Sequence, residues 1–477
     1  MAAPPPLDAV VVGAGPNGLA AAIRLAEEGL RVRVYEANPT AGGAVRSLPL
    51  TRPGFVHDFG AAVFPLGLAS PFFRRLPLEE HGLSWIHPEV PLAHPLDGGR
   101  AAFLHRSLPE TASLLGRDGR AWHRLLGPIV RDWPKLEGEI LGPLLHIPRH
   151  PLALARFGIP ALLSARLLAT RAFRDEPARA LWAGIAAHSG LPFSAAGGSA
   201  FGLTLAALGH HVGWPIPKGG AQTLTNALVA HLLALGGDVV TGHRVERLSA
   251  LPPSRAVLLD VVPKTVLKIA GEALPEGYRR ALRRFRHGAG TFKVDWALRA
   301  PIPWANPDVG RAGTVHLGGT LDEIAASEDA MGSGRISSRP YVLLAQPSLF
   351  DPSRAPDGFH TAWAYCHVPN GASADMTAAI EAQVERFAPG FRDTILARHT
   401  AGPLELEAAD ANLVGGDVSG GANRLGQVLA RPVLQPTPYR TPLDGVYLCS
   451  ASTPPGGGVH GMAGAQAAET ALRDRFR

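Results

Sequence analysis

The chain opens on a short apolar run, Ala9 to Val12, that breaks at a glycine cluster and resumes as an alanine-rich stretch. A second run, Arg31 to Tyr35, ends at Glu36. This spacing predicts a buried strand, a helix and a second strand. Asp238 to Thr241 and the segment "RAVLLDVVP" read as further strands of the same sheet. Near the other end, Val446 to Cys449 is strand-like, Ser450 to Gly458 forms a turn, and a helix starts at about Gly461. In between, "GTFKVDWAL", "RPYVLLAQPSLF" and "FHTAWAYCHVP" alternate or run apolar, which predicts a separate sheet. The Leu-, Pro- and Arg-rich region from about Ser70 to Pro215 reads as a helical cap, with stretches such as Leu162 to Phe173.

Composition narrows the class. The 477 residues are 46% hydrophobic and 18% charged, enough for two or three domains with sizeable cores. Two cysteines without a C-x-x-C spacing exclude a disulfide framework and point to a reducing compartment. The formal net charge of +6 rests on dispersed arginines, since only five residues are lysine, so nucleic acid is not expected as a partner. A weak attraction to anionic membrane surfaces is the better expectation. "MAAPPPLDAVVVGAG" shows no secretory signal, so a cytoplasmic location with peripheral membrane association is expected. Ala180 to Pro217 holds no Asp, Glu, Lys or Arg, but its glycines, prolines and histidines argue against a spanning helix. A lining for an apolar cavity is the expectation there. Leu163 and Leu167 fall within the arginine arc of their helix, so that segment is no clean amphipathic anchor.

The break after Val12 reads Gly13-Ala14-Gly15-Pro16-Asn17-Gly18. Gly13 permits a tight turn, Gly15 lets a pyrophosphate reach the backbone, and Gly18 lets helix and strand approach. The helix N-terminus offers free N–H groups to phosphate, and Pro16 in the first turn loses no needed donor. Glu36, 23 residues after Gly13, stands where a carboxylate accepts from ribose hydroxyls, with Ala37 beside it. Strand, motif, helix, second strand and terminal acid in order specify dinucleotide binding. No second such unit exists, so a separate NADPH domain is not expected. No H-E-x-x-H or Cys/His ligand spacing exists either, so no metal is expected.

Gly42-Gly43, followed by Arg46 and Ser47, resembles the extension found in FAD enzymes of the glutathione-reductase-like and amine-oxidase-like superfamily. Ala44 stands where that pattern carries an arginine, and the arginine comes two positions later. Ser452-Thr453-Pro454-Pro455-Gly456-Gly457-Gly458 is similar to the C-terminal turn of carotenoid (phytoene) desaturases, with Pro454 in place of their histidine. With "NLVGGDVSGG" at Asn412 to Gly421, the chain resembles the phytoene-dehydrogenase-related family, in the branch of pyridine nucleotide-disulphide oxidoreductase domain-containing protein 2. The resemblance spans nearly the whole chain and is most specific at its two ends.

That resemblance implies an α/β fold: a discontinuous Rossmann-type FAD-binding domain from residues 1–69, 215–265 and 425–477, a helical cap at 70–214, and a substrate-domain sheet at 266–424. It implies FAD, held by Gly13, Gly15, Pro16, Asn17, Gly18, Glu36, Ala37, Gly42, Gly43 and Arg46. Gly60, Val245 on a strand reaching the adenine, Ser450, Ala451, Gly457, Gly458, Val459 and His460 complete the set. His460, Asp58 and His57 are the candidate catalytic residues. The expected chemistry is desaturation, or a related oxidation or isomerisation, of a lipophilic isoprenoid, carotenoid-like or acyl substrate by hydride transfer to flavin N5. Oxygen or a quinone is the expected electron acceptor. A flavin amine oxidase is the alternative; it is weakened because no lysine follows Lys293 and the Pro303-Trp304 pair. A flavoprotein without activity, serving as a scaffold, is the other alternative.

Overall fold

The computed structural model describes residues 6–477; residues 1–5, the start of the stretch read as lacking a secretory signal, lie outside the described residues. The chain first forms β1 (Ala9–Val12), α1 (Pro16–Ala26) and β2 (Val32–Tyr35). It leaves to build β3 (Val90–Leu96) and β4 (Arg100–Leu104) of another sheet, then a helical layer that includes α2 (Glu176–Ala186) and α3 (Ser199–His211). It returns through α4 (Gln222–Ala234), β5 (Asp238–Val240), β6 (Ala256–Leu259), α5 (Pro263–Ala270) and α6 (Glu276–Arg284). A second excursion makes β7 (Gly290–Leu298), β8 (Ala312–Leu317), β9 (Val342–Ala345), β10 (His360–Val368) and β11 (Ile395–Ala401). The chain closes with β12 (Val446–Leu448) and α7 (Met462–Arg475).

Two sheets result. The first has five strands in the order β12-β6-β1-β2-β5, all parallel. Both faces are covered, as a parallel sheet requires. Ala9 and Val11 pack with α1, α4 and α7, while Val10 and Val12 pack under α5 and α6. The second has seven strands in the order β11-β7-β10-β9-β8-β3-β4, antiparallel except for β3 beside β8. Its pleat sorts side chains by face: Phe292, Val294 and Trp296 enter one core, while Thr291, Lys293 and Asp295 project to the other side.

Two expectations change. Residues 70–214 are not purely helical, because β3 and β4 belong to the second sheet. Pro91 and Pro95 disguise β3, since prolines argue against an interior strand. Residues 263–284 cover the first sheet rather than joining the second: Val266, Ile269, Tyr278 and Leu282 are buried on it. The arginine-rich face of α6 is partly neutralised, Arg279 and Arg283 both pairing with Glu276.

Candidate active site

The loop between β1 and α1 carries the nucleotide groove. Gly13 has φ +101, and a Cβ there would stand 2.8 Å from the Asp260 carbonyl oxygen at the end of β6. A Cβ on Gly15 would lie 2.9 Å from Asp260 Oδ2, and one on Gly18 only 2.0 Å from the Gly13 carbonyl oxygen. Glycine is therefore imposed by steric contact at all three. Glu36 ends β2 and braces this loop: its two carboxylate oxygens accept from the Ala14 and Asn38 N–H groups, each at 2.8 Å. Gly13, Gly15, Tyr35, Glu36, Ala37, Gly43 and His243 to Val245 line the groove, with Ala408 to Asn412 closing it. The Oδ1 of Asn17, in the first turn of α1, is buried and lacks a partner. A Cβ-free cradle, a helix N-terminus and an orphaned polar atom fit a dinucleotide diphosphate.

Asp260 was missed by sequence reasoning. Its Oδ2 accepts from the Gly18 N–H at 2.8 Å. Burial, helped by nearby Asp410 and Glu36, pushes its carboxyl up to about 8. Burial likewise raises Asp410. An acid at the end of an apolar strand gave no sequence signal beyond its position.

The groove continues into a cavity of about 360 Å³, the two sharing Gly15, Gly43, Asp260, Asp410 and Asn412. Its walls are mainly apolar, with Phe59, Phe64, Leu66, Leu205, Leu343, Leu406 and Leu413 among them. Pro16, Asn17, Gly60, Ser450, Ala451, Gly458 and Val459 line it too, so the N-terminal loop and the C-terminal turn meet here. From the second sheet come Thr291, Lys293, Thr314, Trp363 and Tyr365. Lys293 is 4% exposed, pairs with Asp295, and holds its ammonium 5.6 Å from the Trp363 ring centroid. Burial would raise the Asp295 carboxyl, but Lys293, His399 and His57 outweigh it and hold it below its ordinary range.

Lys293 corrects the argument drawn from the absence of later lysines. The cavity has its lysine, but upstream of Trp304, on a strand that reads as plain β-sheet in the sequence. Ala180 to Pro217 contributes only His188, Leu205 and Trp214 to the lining. Most of the rest is core, where α2 and α3 pack in the helical layer, with Ser194 and Ala196 exposed in the turn between them.

The three expected catalytic side chains are engaged elsewhere, and none is among the lining residues. His460 Nδ1 accepts from the Met462 N–H at 3.1 Å, and Ser70 Oγ donates to its carbonyl, so it caps α7. Asp58 accepts from Ser47 Oγ, the Ala221 N–H and Arg354 Nη2. His57 is buried against Thr51 Oγ1 at 2.7 Å, and burial lowers it to about 4. Among the expected cofactor contacts, Gly18, Gly42, Arg46, Gly457 and His460 do not line either space. Arg46 instead braces the loop, donating to the Gly43 and Ala409 carbonyls and lying 4.7 Å from the Phe59 ring centroid. Gly457 packs against the backbone of Ser419. Val245 lines the groove from an irregular segment after β5, not from a strand. Among the described residues no group of His, Cys, Asp or Glu is placed to hold a metal ion.

Comparison with known proteins gives the family and the fold. The family model described as flavin containing amine oxidoreductase matches residues 17–325. Over 98% of its length the chain is 28% identical to rat pyridine nucleotide-disulfide oxidoreductase domain-containing protein 2, covering 94% of that protein. A 68-residue stretch, 14% of this chain and 13% of the relative, is 44% identical to all-trans-zeta-carotene desaturase of Myxococcus xanthus. Cyclohexylamine oxidase from Brevibacterium oxydans shares the fold, with a TM-score of 0.60 at 17% identity, covering 99% of this chain and 100% of that one.

Proposed function

Because the chain belongs to the flavin containing amine oxidoreductase family and its cofactor is FAD, we propose that it oxidises a lipophilic substrate in the cavity beside the nucleotide groove. The observation that carries this reading is the cavity itself: about 360 Å³, mainly apolar and continuous with the groove. Burial at about 25 cal/mol per Å² holds an isoprenoid or acyl chain there without many polar contacts.

The Gly13–Gly18 loop, Glu36 and Gly43 would hold the dinucleotide, and Ser450, Ala451 and Gly458 would face its reactive end. When bound, FAD supplies a two-electron acceptor for hydride. The chain's own residues do the rest. Phe59, Phe64, Leu66 and Leu343 exclude water from the reacting carbon and orient the substrate by shape. Lys293, held by Asp295, is the cationic group on the wall and can hold a proton or hydrogen-bond a polar substituent at its Nζ.

Amine oxidation is the second reading, favoured by Lys293; the rings of Trp363 and Tyr365 are parallel, 4° apart in plane, but offer it no slot. Their centroids are 6.2 Å apart, within the range of a direct aromatic pair, so the rings pack on each other and leave no gap for a substrate. One experiment separates the readings. Purified holoprotein is mixed anaerobically with isoprenoid and acyl compounds, then with amines, while flavin absorbance is followed. Bleaching by the lipophilic compounds supports the proposal; bleaching by amines alone replaces it with the second reading.

We also propose peripheral contact with a membrane surface. Leu145, Ile147, Leu152, Ile159 and Leu162 are all more than half exposed around one helix, Pro151–Ala161. Exposed apolar side chains beside Arg149 suit the interface of an anionic bilayer, while Arg156 on the same helix is already paired with Asp132. No single helix among the described residues is long and apolar enough to cross a bilayer.

A further inference from the structure

One imidazole, His188, lines the cavity, and two more stand behind it. His188 Nε2 lies 2.9 Å from His316 Nε2 on β8. His94, on β3, places its Nε2 2.7 Å from the Gly319 carbonyl oxygen. His94 and His316 are fully buried, and the Nδ1 of each has no hydrogen-bond partner. Those two nitrogens face the same small space against α2: a Cβ on Gly184 would stand 2.7 Å from His316 Nδ1 and 2.9 Å from His94 Nδ1. The rings of Trp214 and Tyr341 enclose His316. Burial lowers His188 to about 3 and His94 to about 4, and lowers His316 well below its ordinary value. All three are therefore neutral at neutral pH, with one N–H each.

The tautomers follow from the anchored end. A carbonyl oxygen only accepts, so His94 carries its hydrogen on Nε2 and a lone pair on Nδ1. His316 Nδ1 borders the same small space without bonding to His94 Nδ1; a lone pair there would repel the lone pair of His94 in a dry interior, whereas an N–H dipole is attracted to it. His316 is thus protonated on Nδ1 and accepts at Nε2. The 2.9 Å contact then takes its hydrogen from His188 Nε2. This leaves His188 Nδ1 as a bare acceptor on a ring that lines the cavity.

We propose that His188 recognises a hydroxyl or amino hydrogen on an otherwise apolar substrate, with His316 and His94 as positioning residues that fix its tautomer. The inference rests on the reading of the cavity as a lipophilic substrate site and sharpens it. A pure hydrocarbon lying against His188 would cover the acceptor and leave it unpaired, while a substrate with one polar end would satisfy it.

Two measurements on the holoenzyme test this. Long-range proton–nitrogen correlation spectra of histidine-labelled protein report each imidazole's tautomer. The expected result is hydrogen on Nε2 of His188 and His94 and on Nδ1 of His316; hydrogen on His188 Nδ1 overturns the proposal. Anaerobic flavin-absorbance titrations then compare farnesol with farnesyl methyl ether. The wild type is expected to prefer the alcohol about tenfold, as one net hydrogen bond provides. His188→Phe should erase the preference by weakening farnesol and leaving the ether unchanged, and His316→Phe should reduce it with His188 still present. An unchanged preference in His188→Phe overturns the recognition role. Farnesylamine in place of farnesol distinguishes the two donor types. If neither farnesol nor its ether binds, the lipophilic reading of the cavity fails, while the tautomers still decide the histidine arrangement.

Discussion

Arg354 Nη2 donates to Asp58 Oδ2 across 2.7 Å, and both side chains are almost wholly shielded from solvent. The pair joins the second excursion of the chain to the short Ser47–Leu48 and His57–Asp58 ribbon, and through the Ala221 N–H to the start of α4. Removing one partner strands a charge in a dry interior, at roughly 3–5 kcal/mol. Asp58→Asn should lower the thermal midpoint markedly, read by calorimetry. Flavin reduction in the fraction that remains folded should be little changed. A stable Asp58→Asn protein that cannot be reduced would instead restore a chemical role to Asp58.

The glycine loop makes a graded prediction. Gly15→Ala places a methyl 2.9 Å from Asp260 Oδ2, an overpacking cost of about 1–3 kcal/mol that falls on the groove. Retention of FAD through gel filtration should drop while the fold persists. Gly18→Ala meets the Gly13 carbonyl at 2.0 Å and should disturb folding itself. Gly277→Ala, in α6 with open space around it, is the control and should be neutral or stabilising by about 0.5–1 kcal/mol.

Stability of the flavin-free protein should fall as pH rises through the Asp260 window. Its folded-state value, about 8, lies far above the ordinary carboxylate range, so folding takes up a proton between the two. That contribution is complete below the unfolded value and is lost as pH rises through about 8, at up to about 1.4 kcal/mol per pH unit. The buried histidines His57, His94, His188, His210 and His460 act oppositely, because burial lowers them to about 3 or 4. Their contribution is lost as pH falls below the ordinary histidine value. Between pH 6.5 and 8 His367 and His146, both raised by their carboxylate partners, lose stability in the same sense, so the carboxyl is read from the difference in denaturant unfolding between wild type and Asp260→Asn, whose slope there should be shallower.

Membrane contact is checked by sedimentation with anionic vesicles. Ile147 and Ile159 are 92% and 71% exposed, so Ile147→Glu with Ile159→Glu should leave the melting temperature unchanged while releasing the protein from the pellet. Equal pelleting of the double variant would remove the proposal.

The sequence made the nucleotide end legible because its signals are local. A tight turn, a helix start and a terminal acid lie within thirty residues, and each has a steric or dipolar cause. The parallel sheet with covered faces followed from the same runs. The cavity was less legible because its walls come from segments hundreds of residues apart. Lys293 looks like any strand residue until the pleat turns it away from Phe292 and Val294. His460 and Asp58 drew attention as polar residues in flavin-proximal motifs, yet their hydrogen bonds show them holding the backbone in place. Uncharged composition from Ala180 to Pro217 reported burial, and burial in a helical core resembles burial around a cavity.

The order in which the first sheet is assembled bears on biosynthesis. β6 lies between β1 and β12, and β12 is the only strand contributed by the C-terminal segment. A growing chain on the ribosome must expose one flank of β6, with its unpaired amides, while nearly two hundred further residues are translated. Such a flank is sticky toward other extended strands. Chaperone engagement of nascent chains stalled before residue 446, and aggregation when synthesis is interrupted there, are the expected cellular signature of this arrangement.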